Sequence, residues 1–444
     1  MNGGDHLHTC AMLGAYHAAR GVEDGVILCH SPAGCEKMIL HAVAAHDALG
    51  LRHRDVALCQ VGDPEAVFGG EAKLGEALQR LRAERPGRHV FILSSCAPEV
   101  VGDDLPAVIG SCSPGAATWL GTAGFRGDLW SGFAEALGAM TLSLCAGESR
   151  GRPSARLVNL SGYLCDRLEH DHLANLRILA AMLRALGLGL NVCLGGPTST
   201  RRLRRAWAAG WNLAFDYGEP AAAALARRYG RPALHLDYPL GLRGTEAFLR
   251  GVGRAVGREA AARAFIERSL RWAVPRIAAV RAACVGRRVG VAADSQRLPG
   301  LLQLLIDLGM TPVWVRILDQ GGAIRPRLKR LLAGYPARID PSGPEIGETL
   351  GALDLIVGTT LEKYRYGSRV PVYEFGYPCF DRHCLADEPD LGFEGAVRLA
   401  NGLANLLRRG PTRQFGVLPE EFMRLQLEPP LYFACRARGG RLPR

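Results

Sequence analysis

The 444-residue sequence has no run of about eighteen apolar residues and no basic-then-apolar N-terminus. A membrane-spanning helix and a secretory signal are therefore not expected, and the protein reads as cytoplasmic. It has no GxxxxGK[ST] segment, which excludes a P-loop nucleotide site. It has no CxxC, which excludes the common zinc and ferredoxin patterns. Lysine is scarce beside arginine, and the basic pairs Arg204-Arg205, Arg227-Arg228 and Arg287-Arg288 are short and scattered. No basic stripe carries interleaved aromatics, so the net charge of +11 reads as solvated helix faces and not as a nucleic-acid site. Such a surface suits the steering of an acidic protein partner.

What is present is an ordinary globular composition, 48% hydrophobic and 22% charged. The chain is too long for one core, since cores divide beyond about 250–300 residues. Short apolar strands alternate with amphipathic helices, the pattern of parallel α/β sheets. Strands are expected at Gly25–His30, His89–Ser94, Leu157–Leu160, Leu190–Leu194, Asn212–Phe215, Ala233–Leu236, Arg288–Ala293, Pro312–Ile317, Leu353–Gly358 and Val370–Phe375. Helices are expected at Glu71–Glu84, His172–Leu186, Ala221–Tyr229 and Leu298–Leu308, with a long helical stretch from Thr245 to Cys284. The fold class is α/β, with three Rossmann-like doubly wound parallel-sheet domains. The breaker-rich segment Gly147–Pro153 is read as the first linker. The expected domains are residues 1–152, 153–286 and 287–410, followed by a wrapping tail at 411–444.

Thirteen cysteines are too many for chance packing and too few for a disulfide scaffold. Three of them stand out. Cys10 in HTCAMLGA, Cys35 in HSPAGC and Cys96 in SSCAPEVVGDD each sit in a Gly- or Pro-bearing turn before a helix or after a strand. In parallel α/β folds such turns gather at the carboxyl edge of the sheet, where ligands bind. Iron–sulfur clusters need thiolates from converging loops, and neighbouring glycines let the backbone approach the sulfides. Spacing alone leaves the alternative open that these are three buried cysteines near turns. Cys29, Cys145, Cys193 and Cys284 fall in or beside apolar strands and read as core thiols. Cys59 and Cys112 lie nearer the three turns.

The order of these motifs resembles the nitrogenase component 1 superfamily. Cys10 is followed by Gly14-Ala15, His30 leads to Gly34-Cys35, Val67–Gly70 reads VFGG, and Cys96 precedes Gly102-Asp103-Asp104. Downstream, Phe380-Asp381-Arg382-His383 and Gly392-Phe393-Glu394-Gly395-Ala396 resemble the closing segment of β-type subunits. The resemblance implies that Cys10, Cys35 and Cys96 ligate a P-cluster-type iron–sulfur cluster of about eight irons shared with an α-type subunit, or alternatively a [4Fe–4S] cluster. It implies an α2β2 heterotetramer fed by an ATP-dependent iron protein, with neither nucleic acid nor membrane as partner. Asp216 stands where α-type chains carry their cofactor cysteine, so the chain looks like the electron-relay half.

The closeness of Cys10 to the first residue and the proline in HSPAGC depart from typical nitrogenase β subunits. These departures point towards a nitrogenase-like reductase, first among them methylthio-alkane reductase, which cleaves C–S bonds. A dinitrogen-reducing β subunit and a non-catalytic scaffold for cofactor assembly are the alternatives. Chlorophyll-pathway reductases lack this combination of motifs. His30 and His383 are expected to fix loops. Phe380–His383 and Gly392–Ala396 are expected to serve packing, with Asp381 and Arg382 as a buried pair.

Overall fold

The computed structural model describes residues 10–46, 55–145, 151–167, 169–231 and 233–408. Most of the Gly147–Pro153 segment, the 411–444 tail and Cys435 lie outside the described residues. Three parallel sheets follow one another along the chain. The first contains β1 (Gly25–Ser31), β2 (Val56–Gln60), β3 (His89–Ser94) and β4 (Ala117–Trp119), in the order β2-β1-β3-β4. The second contains β5 (Ser154–Ser161), β6 (Gly189–Leu194), β7 (Ala209–Ala214) and β8 (Ala233–His235), in the order β6-β5-β7-β8. The third contains β9 (Arg288–Ala293), β10 (Thr311–Ile317), β11 (Arg338–Ile339), β12 (Leu355–Gly358) and β13 (Val372–Glu374), in the order β11-β10-β9-β12-β13. Every strand pair is parallel, as the alternation of strand and helix requires.

The first sheet shows why continuous apolar strands form here. Along β1, Val26 and Leu28 enter one core while Ile27 and Cys29 enter another. Along β3, Val90 and Ile92 join the first of these and Phe91 and Leu93 the second. Successive side chains point to opposite faces, so a sheet buried on both sides needs apolar residues at every position. Helices Ala11–Arg20 and Leu129–Leu144 cover one face, and Glu71–Glu84 helps to cover the other.

The long helical stretch is two helices, Gly241–Ala255 and Glu259–Arg281, separated by a turn at Gly257 with φ +67°. Strands β2, β4 and β11 had no sequence expectation. They are edge strands of two to five residues, stabilised by the open edges of β1, β3 and β10.

The second and third sheets share one continuous core. Their polar junction is dense. Tyr217, just past β7, donates to Asp294 (3.2 Å) and to Asp319 at the ends of β9 and β10, and the Gln296 amide donates to Gly162 O at 3.2 Å. Farther along, Arg167 is bonded to Asp171 at 2.5 Å and to the Arg382 carbonyl at 3.1 Å, while Glu169 binds His383 (2.8 Å) and the Cys384 amide (2.7 Å). The segment around His383 thus stitches the third sheet's loops onto the second. The expected Asp381–Arg382 pair is not formed. Asp381 pairs with Lys363 at 2.9 Å and accepts from Tyr364, whereas Arg382 lies over the Tyr373 ring and donates to Glu374 O. Each finds its own partners on a different neighbour.

Candidate metal centre

The three singled-out cysteines come together at the carboxyl edge of the first sheet. Cys10 is the N-cap of helix Ala11–Arg20, with extended backbone (φ −80°, ψ 165°). Cys35 lies in the first turn of helix Ala33–His46, which follows β1 after Pro32. Cys96 opens helix Cys96–Val101 directly after β3 and Ser95. A fourth loop, the turn Gly124–Arg126 beyond β4, closes the group. The Gly124 amide donates to Cys96 Sγ at 3.2 Å. A Cβ on Gly124 would stand 3.3 Å from Cys96 Sγ and 3.4 Å from Cys10 Cβ. Burial pushes the Cys35 thiol pKa up, and the negative charges of Cys10 and Cys96 push it further the same way. Thiolates that feel one another's charge in this way are favoured when a cationic metal group joins them.

Other elements hold these loops in place. Glu99, on the Cys96 helix, accepts from Ser94 Oγ (2.5 Å), Ala123 N (3.2 Å) and Arg126 Nε (2.6 Å). It therefore clamps the Gly124 turn onto the Cys96 helix, and Thr122 adds a bond to Ser94 O at 2.7 Å. Cys10 and Asp128 form a bridge, and Ala11 N donates to Gly127 O at 3.1 Å. Gly14 serves helix packing and not the approach to sulfide. A Cβ there would fall 1.8 Å from Leu129 O, and one on Gly132 would fall 2.2 Å from Ala11 O. These two glycines let helices Ala11–Arg20 and Leu129–Leu144 cross closely, which brings Cys10 to the edge.

The other cysteines differ in surroundings. Burial pushes the thiols of Cys29, Cys145 and Cys193 up to about 12, and those of Cys59, Cys379 and Cys384 up to about 11. They remain protonated at neutral pH, as core thiols do. Cys59 faces His30 at 3.3 Å, and Cys112 lies against Ser111 and Gly75. By contrast Cys96 is exposed and Cys10 and Cys35 are half-buried. Around them stand exposed apolar side chains: Val67, Phe68, Val100 and Phe125, with Phe68 88% exposed. Among the described residues, one compact group of potential ligands lies elsewhere, Glu169, Asp171 and Cys384. Arg167 fills it, bonding Asp171 and lying 3.7 Å from Cys384 Sγ.

A family model for nitrogenase component 1 type oxidoreductases matches residues 10–408. The chain belongs to that family. Its relatives include the nitrogenase molybdenum-iron protein β chain of Methanococcus maripaludis, 24% identical over 90% of this chain and 93% of the relative. The vanadium-iron β chain of Trichormus variabilis and the iron-iron β chain of Rhodobacter capsulatus are each 25% identical, again over 90% and 93%. A solved structure titled "Nitrogenase Cp1 at pH 6.5" superposes with a TM-score of 0.79, covering 93% of this chain and 96% of that one at 20% identity. The chain therefore has the nitrogenase component 1 fold, and it is a β-type oxidoreductase component. The matched segment begins at Cys10 itself.

Within this family fold, Asp216 opens a short turn beyond β7 and borders a polar cavity of about 190 Å³, together with Asp237, Gln296 and Arg327. Burial raises the Asp216 pKa, and the Arg327 charge opposes that rise. No cysteine or histidine is among the described residues lining this cavity. Cys10, Cys35 and Cys96 stand out in the sequence, whereas Gly124 and Glu99 do not. Neither has a local signal, since a glycine in a loop and a glutamate on a helix are both commonplace.

The donor set at the three cysteines fits an iron–sulfur group. Three soft thiolate donors converge, a backbone N–H points at one sulfur, and the space beside them is kept free by the missing side chain of Gly124.

Proposed function

We propose that this chain is the electron-relaying β-type half of a nitrogenase-like reductase, holding its share of a P-cluster-type iron–sulfur cluster through Cys10, Cys35 and Cys96. The observation that carries this reading is the meeting of Cys10 and Cys96 at Gly124, with the Cys35 thiol near enough to feel both charges and Cys96 left open to the outside. When bound, such a cluster stores and passes single electrons. The chain's own residues ligate it, donate a backbone hydrogen bond to one sulfur, and hold the loops through Glu99 and Asp128. Three thiolates make half a site, and the exposed Val67, Phe68, Val100 and Phe125 give the face an apolar border that partners cover. The completing partner in this reading is a homologous α-type chain in an α2β2 heterotetramer, with an ATP-dependent iron protein as electron donor. Asp216, beside a cavity lined by neither cysteine nor histidine among the described residues, fits the relay half and not the catalytic half.

For substrate we favour reductive C–S cleavage of methylthio-alkanes, in which two electrons and two protons convert the thioether to an alkane and methanethiol. Similarity to β chains of three differently named metal classes supports a second reading, a dinitrogen-reducing β subunit. One experiment separates them. The complex, co-expressed with its α-type partner and supplied with iron protein and ATP, is offered a methylthio-alkane or dinitrogen. Methanethiol release supports the first reading, and ammonia alone supports the second. Absence of any ATP-dependent product would favour an assembly scaffold. Expressed singly, the chain should be poorly metallated or aggregated, and a stable, fully metallated homo-oligomer by native mass spectrometry would contradict the shared-site reading.

A further inference from the structure

Two of the sequence motifs, Val67–Gly70 and Gly102-Asp103-Asp104, supply no ligand, yet the structure joins them to each other and to His30. Both carboxylate oxygens of Asp103 accept from the Gly70 amide, at 3.0 and 3.1 Å. His30 Nε2 lies 3.4 Å from Asp103 Oδ2, and its Nδ1 lies 3.3 Å from Cys59 Sγ. The two ring nitrogens of His30 are thus engaged from opposite sides, by Cys59 and by Asp103. Both members are enclosed, with His30 at 0% and Asp103 at 3% side-chain exposure. There is no slack: a Cβ on Gly70 would stand 2.8 Å from His30 Cε1, and one on Gly69 would stand 2.9 Å from Asp103 Oδ1.

His30 also touches the Cys96 turn at its other end. The His30 carbonyl accepts from Ser95 N at 3.2 Å, one residue before Cys96, while the Asp103 amide is bonded to Pro98 O inside helix Cys96–Val101. The helix that carries Cys96 is thus gripped at its start by the backbone of His30 and at its finish by the His30 side chain through Asp103. His30 itself lies on β1, five residues before Cys35, so the same residue sets the origin of the Cys35 loop.

We propose that Asp103 is a positioning residue which, through His30 and Gly70, fixes the Cys96 thiol relative to Cys35. This inference rests on the reading that both cysteines hold the cluster. Replacing Asp103 by Leu removes the strut without touching a ligand. The expected result is an altered electron paramagnetic resonance spectrum and midpoint potential of the cluster in the purified complex. Iron affinity, read by competition with a chelator, should fall by about 10- to 100-fold, as is usual when a group supporting a ligand is lost. Asp103→Asn should restore the spectrum, because its oxygen still accepts from Gly70 and the His30 ring can take the tautomer whose Nε2 accepts from its amide. Gly70→Ala attacks the same strut from the other side and should reproduce the Leu variant, which keeps the test open if Asp103→Leu does not fold. A wild-type spectrum in Asp103→Leu or in Gly70→Ala overturns the proposal, as does an Asn variant as damaged as the Leu variant. If Cys96→Ala leaves the cluster untouched, the ligand reading itself has failed and takes this inference with it.

Discussion

The Gly124 amide points at Cys96 Sγ from 3.2 Å, across a gap that a single methyl group would fill. A hydrogen bond to a thiolate stabilises its charge and lowers the electron density available to iron, so it tunes a bound cluster's potential. Gly124→Val would place branched carbon against both Cys96 and Cys10. The expected outcome is a complex that still assembles, with lowered iron content and a displaced midpoint potential, measured by metal analysis and redox titration. Wild-type values for both would show that Gly124 is only a loop residue.

Arg167 is the counter-charge at the buried junction between the second and third sheets. Its side chain is 7% exposed, and Asp171 beside it is 2% exposed. Arg167→Met leaves Asp171 without its guanidinium partner, and breaking a buried pair this way costs about 3–5 kcal/mol. Chemical denaturation should show a loss of that size. A loss below about 1 kcal/mol would place the junction's stability in its apolar packing alone.

Much of the fold is legible in the sequence because the signals are local. Strand Arg288–Ala293 and helix Glu71–Glu84 have the boundaries their apolar patterns imply. Helix His170–Ala185 starts two residues before its expected first residue, within ordinary end fraying. Strands β4 and β11 are not legible, because Ala117–Trp119 and Arg338–Ile339 are formed by neighbours and not by their own composition. The same holds at the site. Cys10, Cys35 and Cys96 announce themselves by their turns, whereas Gly124 and Glu99 acquire meaning only when the chain brings β3 and β4 side by side. Asp381 and Arg382 mislead for the converse reason: adjacency in sequence says nothing about which neighbours each side chain meets.

His89, at the start of β3, provides a pH test of the first sheet. Burial, aided by the charge of Arg204 and opposed by Asp24, lowers its pKa from 6.5 to about 4, and its ring bonds Thr118 Oγ1 at 2.7 Å. A depressed folded pKa means that the unfolded chain binds the proton first. The stability is therefore complete above pH 6.5 and is lost as pH falls towards 4. His89→Gln, which keeps a polar contact to Thr118 but cannot titrate, should flatten the wild-type loss by about 1 kcal/mol per pH unit within that window. Parallel stability–pH curves for the two proteins would show that His89 is protonated when folded.

In the proposed relay subunit Cys10, Cys35 and Cys96 each hold the cluster. The most direct measurement is iron and acid-labile sulfide content, with the visible and paramagnetic resonance spectra, of the complex purified without oxygen. It should be made for the wild type and for Cys10→Ala, Cys35→Ala and Cys96→Ala. The wild type should carry the cluster, and each variant should lose or degrade it together with ATP-dependent reduction. Full iron content and normal turnover in any one variant would remove that cysteine from the site, and a colourless, iron-free wild-type complex would contradict the account as a whole.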